Sequence, residues 1–174
     1  MVLSKGYVHV YTGDGKGKTT ASLGLALRAA GAGLRVYIGQ FLKQGEYSEI
    51  RALGLLGDRI SVAQFGSGRL IRGQPDAQDR ALAARGLAAA RQAVKGGQFD
   101  LVILDEANVA AAMGLLAVED LVALARDKPA AVELVFTGRG ASAELMAAAD
   151  LVTEMKAVRH YYEAGVHARE GIEK

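Results

Sequence analysis

A glycine- and lysine-rich segment, TGDGKGKTT from Thr12 to Thr20, has the residue types of a phosphate-binding loop. Glycine lets consecutive backbone N–H groups converge on phosphate oxygens. Lys18 adds a mobile positive charge, and the Thr19 hydroxyl is placed to reach Mg²⁺. An apolar run precedes the segment and a helical pattern follows it, which disfavours a solvated surface turn. We predict that the loop binds phosphate through the following residues: Gly13, Asp14, Gly15, Lys16, Gly17, Lys18, Thr19 and Thr20. One position departs from the usual G-x-x-x-x-G-K-[ST] pattern, because Thr12 replaces its first glycine.

Two adjacent carboxylates, Asp105 and Glu106, directly follow the apolar run 101–104. In open α/β sheets the ligand lies beyond the carboxyl ends of the strands, where a carboxylate can hold Mg²⁺ directly or through water. Adjacent side chains point in different directions, so one is expected to ligate the metal while the other supports it. The alternative is a solvated strand end, and without the phosphate-binding loop this pair would be a weak signal.

A second glycine-flanked segment, TGRG at 137–140, follows another apolar run and places Arg139 at the same predicted edge. Arg139 can contact a phosphate or an anionic substrate there, and a solvated turn arginine is the alternative. Arg28 lies three turns into the first predicted helix, where spacing alone favours a surface charge. The three histidines have no metal-ligand spacing.

Strand and helix patterns alternate along the chain, and the strands are mostly unbroken apolar runs, as expected when both faces of a sheet are covered. We predict strands at 8–11, 36–38 and on toward Phe41, 60–63, 101–104, 132–136 and 151–155. Helices are predicted at 18–30, 48–56, 76–95, 109–113, 118–126 and 142–148, with a loop at 65–75 and a polar tail after 155. This order predicts a parallel α/β sheet with right-handed crossovers.

Composition limits the possible classes of protein. The chain has 174 residues, a net charge of +2 and no cysteine, which excludes disulfides and thiolate metal sites and gives no sign of nucleic-acid binding. No linker or composition break divides the chain, so we expect one domain over residues 1–174. No long apolar window or secretion signal is present, so we expect a soluble, cytoplasmic protein without membrane contact. The residues alone indicate an Mg²⁺-dependent nucleotide-binding protein and leave kinase, ATPase and rarer activities open.

Five blocks of the sequence resemble the ATP:corrinoid adenosyltransferases that act on cob(I)alamin and cob(I)yrinic acid a,c-diamide. The blocks are GDGKGKTTASLGLALRAAG, QFLKQGEYSEIRAL, LVILDEANVAAAMGLL, VFTGRGASAEL and DLVTEMKAVRHYYEAGVHAREGIE, in the family's order. The resemblance covers nearly the whole chain, and the last two blocks are hardly shared with other phosphate-loop proteins.

The resemblance implies a RecA-like P-loop fold, a homodimer, and a reaction in which ATP donates its adenosyl group rather than a phosphoryl group. A cob(I) corrinoid attacks C5′ of ATP and triphosphate leaves. Mg²⁺ or Mn²⁺ is the implied cofactor, and a reductase supplies the reduced corrinoid. Two other functions share the loop and the metal site: a RecA-like ATPase, and a non-catalytic nucleotide-binding regulator.

The same resemblance implies roles for individual residues. The loop from Gly13 to Thr20 binds the triphosphate, and Lys18 and Glu106 are the catalytic pair. Thr19 and Glu106 are the expected metal ligands with Asp105 beside them, and which carboxylate ligates directly stays open. Arg28 is implied to bind the nucleotide, and Arg139 to contact phosphate or substrate.

One block departs from the resemblance. Enterobacterial members carry aromatic residues in a GFTW-like block under the corrinoid, where this chain has Gly68-Arg69-Leu70-Ile71. We expect Leu70 and Ile71 to form an apolar wedge that excludes a lower cobalt ligand. A second interpretation is that Arg69 meets a carboxylate or side-chain amide of the corrinoid. The alternative for Leu70 and Ile71 is that they anchor the loop to the core, and the preferred corrinoid stays open.

Overall fold

The computed structural model describes residues 3–173. Its strands are β1 (Val8–Thr12), β2 (Val36–Phe41), β3 (Ile60–Phe65), β4 (Leu101–Asp105), β5 (Glu133–Thr137) and β6 (Leu151–Glu154). Its α-helices are α1 (Lys18–Gly31), α2 (Ser48–Gly54), α3 (Ala77–Lys95), α4 (Ala107–Ala112), α5 (Val118–Asp127) and α6 (Ala143–Ala147). Each predicted strand and helix is present, with ends shifted by one or two residues.

The six strands form one sheet in the order β3-β2-β4-β5-β1-β6, and every pairing is parallel. Every residue of β2 and β4 is buried, which explains the apolar runs at 36–38 and 101–104. One buried cluster joins the sheet to α3 and α5, and the other joins its opposite face to α1. The predicted flanked parallel sheet is therefore confirmed.

Parallel pairing brings the carboxyl ends of all six strands to one edge. The phosphate-binding loop follows β1 at this edge. Asp105 is the last residue of β4 and Glu106 comes directly after it, and the TGRG segment begins at the last residue of β5. Segment 42–47 follows β2, and loop 66–75 follows β3. The order of the strands thus sets the order in which these segments can contribute to a site.

The C-terminal tail is ordered by its own contacts. After β6 it forms a short 3₁₀ turn, Tyr161–Ala164. Glu173 accepts hydrogen bonds from Tyr161 and Arg169, including one of 2.8 Å from the Arg169 backbone N–H. These contacts bring residues 171–173 back toward the loop edge. Among residues 3–173, no helix combines the length and the apolar character that a membrane crossing requires.

Candidate active site

The phosphate-binding loop is folded around the ammonium group of Lys18. Its Nζ donates to the carbonyl oxygens of Gly13 and Gly15, each at 2.6 Å. Gly13 and Gly17 have φ values of 91° and 121°, in the left-handed region that favours glycine. Lys18 is therefore held at the mouth of the loop, at the start of α1, where a phosphate would sit.

Two of the loop glycines are also required by a neighbouring segment of the chain. A Cβ on Gly13 would lie 2.4 Å from the Met155 carbonyl oxygen, and one on Gly15 would lie 2.7 Å from the carbonyl carbon of Lys156. The Gly15 N–H donates to the same Met155 oxygen at 2.7 Å. The chain after β6 thus packs on the outside of the loop, and only glycine leaves room for it.

Thr12 has no need to be glycine, because it is the last residue of β1 and the sharp turn begins one residue later. It is 8% exposed, and its hydroxyl accepts a hydrogen bond of 3.3 Å from the Ala141 N–H. Its carbonyl accepts from the Met155 N–H at 2.8 Å. Thr12 therefore ties the loop to segments on both sides, which accounts for the altered motif.

Asp105 is fully buried and accepts hydrogen bonds from four side chains. Its Oδ1 accepts from the hydroxyls of Thr19 at 2.8 Å and Thr137 at 2.6 Å. Its Oδ2 accepts from Gln40 Nε2 at 3.2 Å and from Lys43 Nζ at 2.7 Å. One carboxylate thus joins the ends of β2, β4 and β5 to the first turn of α1.

Glu106 faces the cavity in a backbone conformation that is uncommon for a non-glycine residue. Its φ is 60° and ψ is 15°, and its N–H donates to the Thr137 hydroxyl at 3.1 Å. Burial raises the pKa of Glu106, and the charge of Asp105 raises it further, while Lys43, Lys18 and Arg139 oppose the shift. A divalent cation or the cationic side chains around it would favour the charged form.

Lys18 and Lys43 stand in different electrostatic environments. Burial, then the charge of Arg139, lower the pKa of Lys18, and Glu106 opposes that shift. Burial also acts to lower the pKa of Lys43, but the charge of Asp105 and the hydrogen bond to it outweigh burial and raise it. Lys43 is thus already paired with a carboxylate, while the Lys18 ammonium group donates to two carbonyl oxygens and would gain from an anionic ligand.

The oxygen atoms at this point fit a hard divalent cation. The Thr19 hydroxyl and the Asp105 carboxylate are in contact, and Glu106 opens onto the same space. Within residues 3–173 no group of three or more Asp, Glu, His or Cys side chains could hold a metal by itself. Mg²⁺ is commonly held by one or two carboxylates together with substrate phosphates, so the residues fit a cation that arrives with a nucleotide.

A cavity of about 860 Å³ lies over the loop and is large enough for a nucleotide. Its wall combines the loop, α2, the carboxylate edge and the tail. The lining residues include Gly15, Lys16, Gly17, Lys18, Thr19, Thr20, Lys43, Glu49, Glu106, Arg139, His160, Ile172 and Glu173. The structure thus brings together Lys18, Thr19, Glu106 and Arg139, with Asp105 buried directly behind them.

Three predicted residues lie elsewhere. Arg28 is exposed on α1 outside the cavity lining. Burial, then the charge of Glu133, raise the pKa of Tyr11, and the charge of Arg28 opposes that shift. Leu70 is 78% exposed and Ile71 is partly buried, and neither lines the cavity. Leu70 is therefore too exposed to anchor the loop to the core, and Ile71 packs against neither buried core cluster. The roles of all three residues in ligand binding stay predictions.

Arg69 and Ser67, rather than the apolar pair, fasten loop 66–75. Arg69 contacts Asp76 and Asp79 at 2.5 Å each, and the Ser67 hydroxyl donates to Asp79 at 3.2 Å. Asp79 also completes a reciprocal cap with Asp76 at the start of α3. The loop is thus tied to a helix start, which leaves Leu70 free to face a ligand.

Sequence reasoning missed Gln40, Lys43 and the tail as parts of this site. Lys43 stands two residues after β2, so its position at a carboxyl strand end was the available signal. The tail gave no such signal, because its place over the loop depends on contacts between residues far apart in the sequence, such as Lys16 Nζ with the Ile172 carbonyl at 3.1 Å.

Known proteins resemble this chain over nearly its whole length. The family profile for ATP:corrinoid adenosyltransferase BtuR/CobO/CobP matches residues 4–173. A corrinoid adenosyltransferase from Pseudomonas aeruginosa is 35% identical over 173 residues, covering 97% of this chain and 84% of the relative. A corrinoid adenosyltransferase from Escherichia coli K12 is 32% identical over 173 residues, covering 97% and 86%.

A solved structure supports the fold class. A KaiC-like protein from Pyrococcus horikoshii has a TM-score of 0.52, covering 87% of this chain and 74% of its own, at 16% identity. At this identity the likeness bears on the fold alone, and it confirms the predicted RecA-like P-loop class.

Proposed function

The chain belongs to the ATP:corrinoid adenosyltransferase family, and we propose that it transfers the 5′-deoxyadenosyl group of ATP to the cobalt of a cob(I) corrinoid. The observation that carries this proposal is the cavity in which Lys18, Thr19, Glu106 and Arg139 meet above Asp105. These groups suit a polyphosphate that must leave with additional negative charge.

The chemistry asks for positioning and charge neutralisation. The electron pair of cob(I) forms the cobalt–C5′ bond, the C5′–O bond breaks, and triphosphate leaves with the electrons of that bond. Cobalt is formally oxidised from the +1 to the +3 state. Since cobalt is the nucleophile, no side chain has to act as nucleophile or general base.

The residues of the chain then have three tasks. Lys18 and the loop N–H groups neutralise the triphosphate as charge develops on it, which is the usual source of a large rate effect. Arg139, which lines the same cavity, contacts the phosphates or the corrinoid. Thr19 and Glu106, supported by Asp105, hold a divalent cation, which supplies further positive charge to the leaving triphosphate.

The loop after β3 is the proposed corrinoid contact. Leu70 and Ile71 shield the lower face of cobalt from water and from an axial ligand. Losing that ligand makes Co(II) easier to reduce, because an axial donor raises the orbital that accepts the electron. Arg28 is proposed to contribute to nucleotide binding. A homodimer, a partner reductase and a cytoplasmic location accompany the proposal.

The proposal is tested by incubating the protein with ATP, Mg²⁺ and a chemically reduced corrinoid and following the cobalt–carbon bond by visible absorption. Complete cobalamin and its a,c-diamide precursor are compared to identify the preferred substrate. An ATP analogue with a methylene bridge between the β- and γ-phosphates should still react, because its C5′–O bond is intact. A protein that hydrolyses ATP and never forms the cobalt–carbon bond would be the RecA-like ATPase instead.

A further inference from the structure

Lys43 pairs with the buried carboxylate of Asp105 and also lines the cavity over the phosphate-binding loop. Its Nζ lies 2.7 Å from Oδ2 of Asp105, and its side chain is 19% exposed against 0% for the carboxylate. The Thr19 hydroxyl contacts the other oxygen of the same carboxylate at 2.8 Å. The ammonium group and the expected position of the divalent cation are therefore neighbours on one buried carboxylate.

The backbone before Lys43 is held in a costly conformation. Within residues 3–173 the non-glycine residues with positive φ are Leu42, at 61°, and Glu106, at 60°. A left-handed backbone is unfavourable for leucine and persists only where the surroundings impose it, which is typical of functional sites. Both strained residues directly adjoin the Lys43–Asp105 pair in sequence, so the chain accepts strain on either side of this contact.

Two positive charges cannot share this carboxylate at low cost. A divalent cation beside Thr19 and Asp105 would lie close to the Lys43 ammonium group, and like charges repel strongly at such distances. Lys43 also lines the cavity together with Lys18 and Glu106. Its flexible stem can therefore carry the ammonium group from Asp105 toward an anionic ligand without a change in the sheet.

We propose that Lys43 is the resident counter-ion of Asp105 in the nucleotide-free protein, and that it moves to the triphosphate when the divalent cation enters with ATP. The inference rests on the proposed function for the identity of the anion. Its first half concerns only the protein before a nucleotide binds. Between turnovers, Lys43 neutralises the buried Asp105 carboxylate. During turnover, it is the second lysine, after Lys18, that contacts the leaving triphosphate.

The test is the affinity of the nucleotide-free protein for Mn²⁺, measured from the electron paramagnetic resonance signal of free Mn²⁺. The unmodified protein should bind Mn²⁺ only weakly without nucleotide, because Lys43 competes for Asp105 and no substrate phosphates complete the set of ligands. Lys43→Met removes the competing charge and keeps an unbranched, flexible side chain that is one atom shorter. We expect Mn²⁺ to bind at least about tenfold tighter than to the unmodified protein, since one charge at hydrogen-bonding range is worth at least that factor. Lys43→Gln, which can still donate to Asp105, provides the same test if the methionine variant folds poorly.

Two further variants serve as controls. Lys43→Arg retains the charge and should leave Mn²⁺ affinity close to that of the unmodified protein. Lys95→Met removes an exposed lysine whose partner, Asp127, is 3.8 Å away at the surface, and it should change nothing. If a folded Lys43→Met or Lys43→Gln protein bound Mn²⁺ no more tightly than the unmodified protein, the proposal that Lys43 and the divalent cation compete for Asp105 would be wrong.

The second half is tested by ATP binding in the presence of Mg²⁺ and without corrinoid. Lys43→Met should raise the dissociation constant about tenfold, because a charge-assisted contact to phosphate is lost, and Lys43→Arg should restore part of it. An unchanged dissociation constant for ATP in the Lys43→Met variant would contradict the proposed movement of Lys43 to the triphosphate. Cobalt–carbon bond formation by the unmodified protein is measured separately, so a failed adenosyltransfer would reject the proposed function without affecting the Mn²⁺ result.

Discussion

At the scale of single residues, Lys18 has the most direct link to the proposed chemistry. Its ammonium group already lies 2.6 Å from two loop carbonyls, ready to bind phosphate. We expect Lys18→Ala to lower the rate of cobalt–carbon bond formation at saturating ATP by about 10²–10³, as for other preorganised donors. Circular dichroism should show that the fold is kept. Near-normal turnover would mean that the loop does not bind the triphosphate, and Lys95→Ala serves as the control.

Asp105 and Glu106 are adjacent carboxylates with different expected contributions. Asp105 accepts four hydrogen bonds and is fully buried. We expect Asp105→Asn to destabilise the protein by about 1–3 kcal/mol, because the neutral amide cannot satisfy all four donors at this buried position. Glu106→Gln should leave the fold intact and raise the Mg²⁺ concentration for half-maximal activity about tenfold or more. Thermal unfolding and Mg²⁺ titration of both variants measure this contrast, and an unchanged titration for Glu106→Gln would exclude Glu106 as a ligand.

The stability of the Glu106→Gln variant should also depend on pH. Burial, then the charge of Asp105, raise the pKa of Glu106 above its ordinary value of 4.5. The folded state therefore binds more protons than the unfolded state between the two pKa values, so the charged carboxyl costs stability at neutral pH. Without metal or nucleotide, Glu106→Gln should melt at a higher temperature than the unmodified protein at pH 7. That gain should shrink as the pH falls toward 4.5.

At the scale of elements, loop 66–75 should affect the corrinoid more than the fold. Leu70 is 78% exposed and Ile71 packs against neither buried core cluster, so the double change Leu70→Ala, Ile71→Ala should leave the melting temperature nearly unchanged. The electron paramagnetic resonance signal of four-coordinate Co(II), recorded with ATP present, should weaken or vanish. Leu55→Ala, at a leucine that is 88% exposed, is the matched control. A four-coordinate signal that survives in the double variant would reject the wedge.

The folded conformation of the C-terminal tail should depend on the carboxylate of Glu173. Hydrogen bonds from Arg169 and Tyr161 lower the pKa of Glu173 to about 2, so the cluster is intact at neutral pH and is lost only as the pH falls toward that value. Glu173→Gln removes the charge, and amide hydrogen exchange across 160–173 should accelerate while ATP binding weakens. The neighbouring Glu170→Gln, whose partner Arg51 is 3.5 Å away at the surface, should do neither. Equal exchange in both variants would contradict this account of the tail.

The elements themselves were predictable because local patterns encode them. Apolar runs such as 101–104 indicated strands, and glycines marked the loop at 13–17. The tail was not predictable, because residues 171–173 reach the loop only through contacts with Lys16, Tyr161 and Arg169. The sequence predicted only phosphate binding for Gly13 and Gly15. It could not predict that Met155 packs on the loop, because that contact is between residues far apart in the chain.

At the scale of the whole molecule, the strand order determines which predicted residues meet. The alternation of strands and helices along the sequence predicted a parallel sheet, but it did not predict the strand order β3-β2-β4-β5-β1-β6. Because β5 lies between β1 and β4, Thr137 can bridge the two halves of the site and donate to Asp105 at 2.6 Å. Because β2 neighbours β4, Lys43 reaches the same carboxylate. The residues at the carboxyl ends were predictable, and their partnerships depended on topology.

The most direct test of the central claim counts two products in one reaction. Protein, ATP, Mg²⁺ and chemically reduced corrinoid are combined, cobalt–carbon bonds are counted by visible absorption, and phosphate products are counted by phosphorus nuclear magnetic resonance. An adenosyltransferase whose phosphate-binding loop holds the triphosphate as the leaving group releases one triphosphate for every cobalt–carbon bond that forms. Release of ADP and inorganic phosphate without a cobalt–carbon bond would contradict the account and identify the protein as an ATPase.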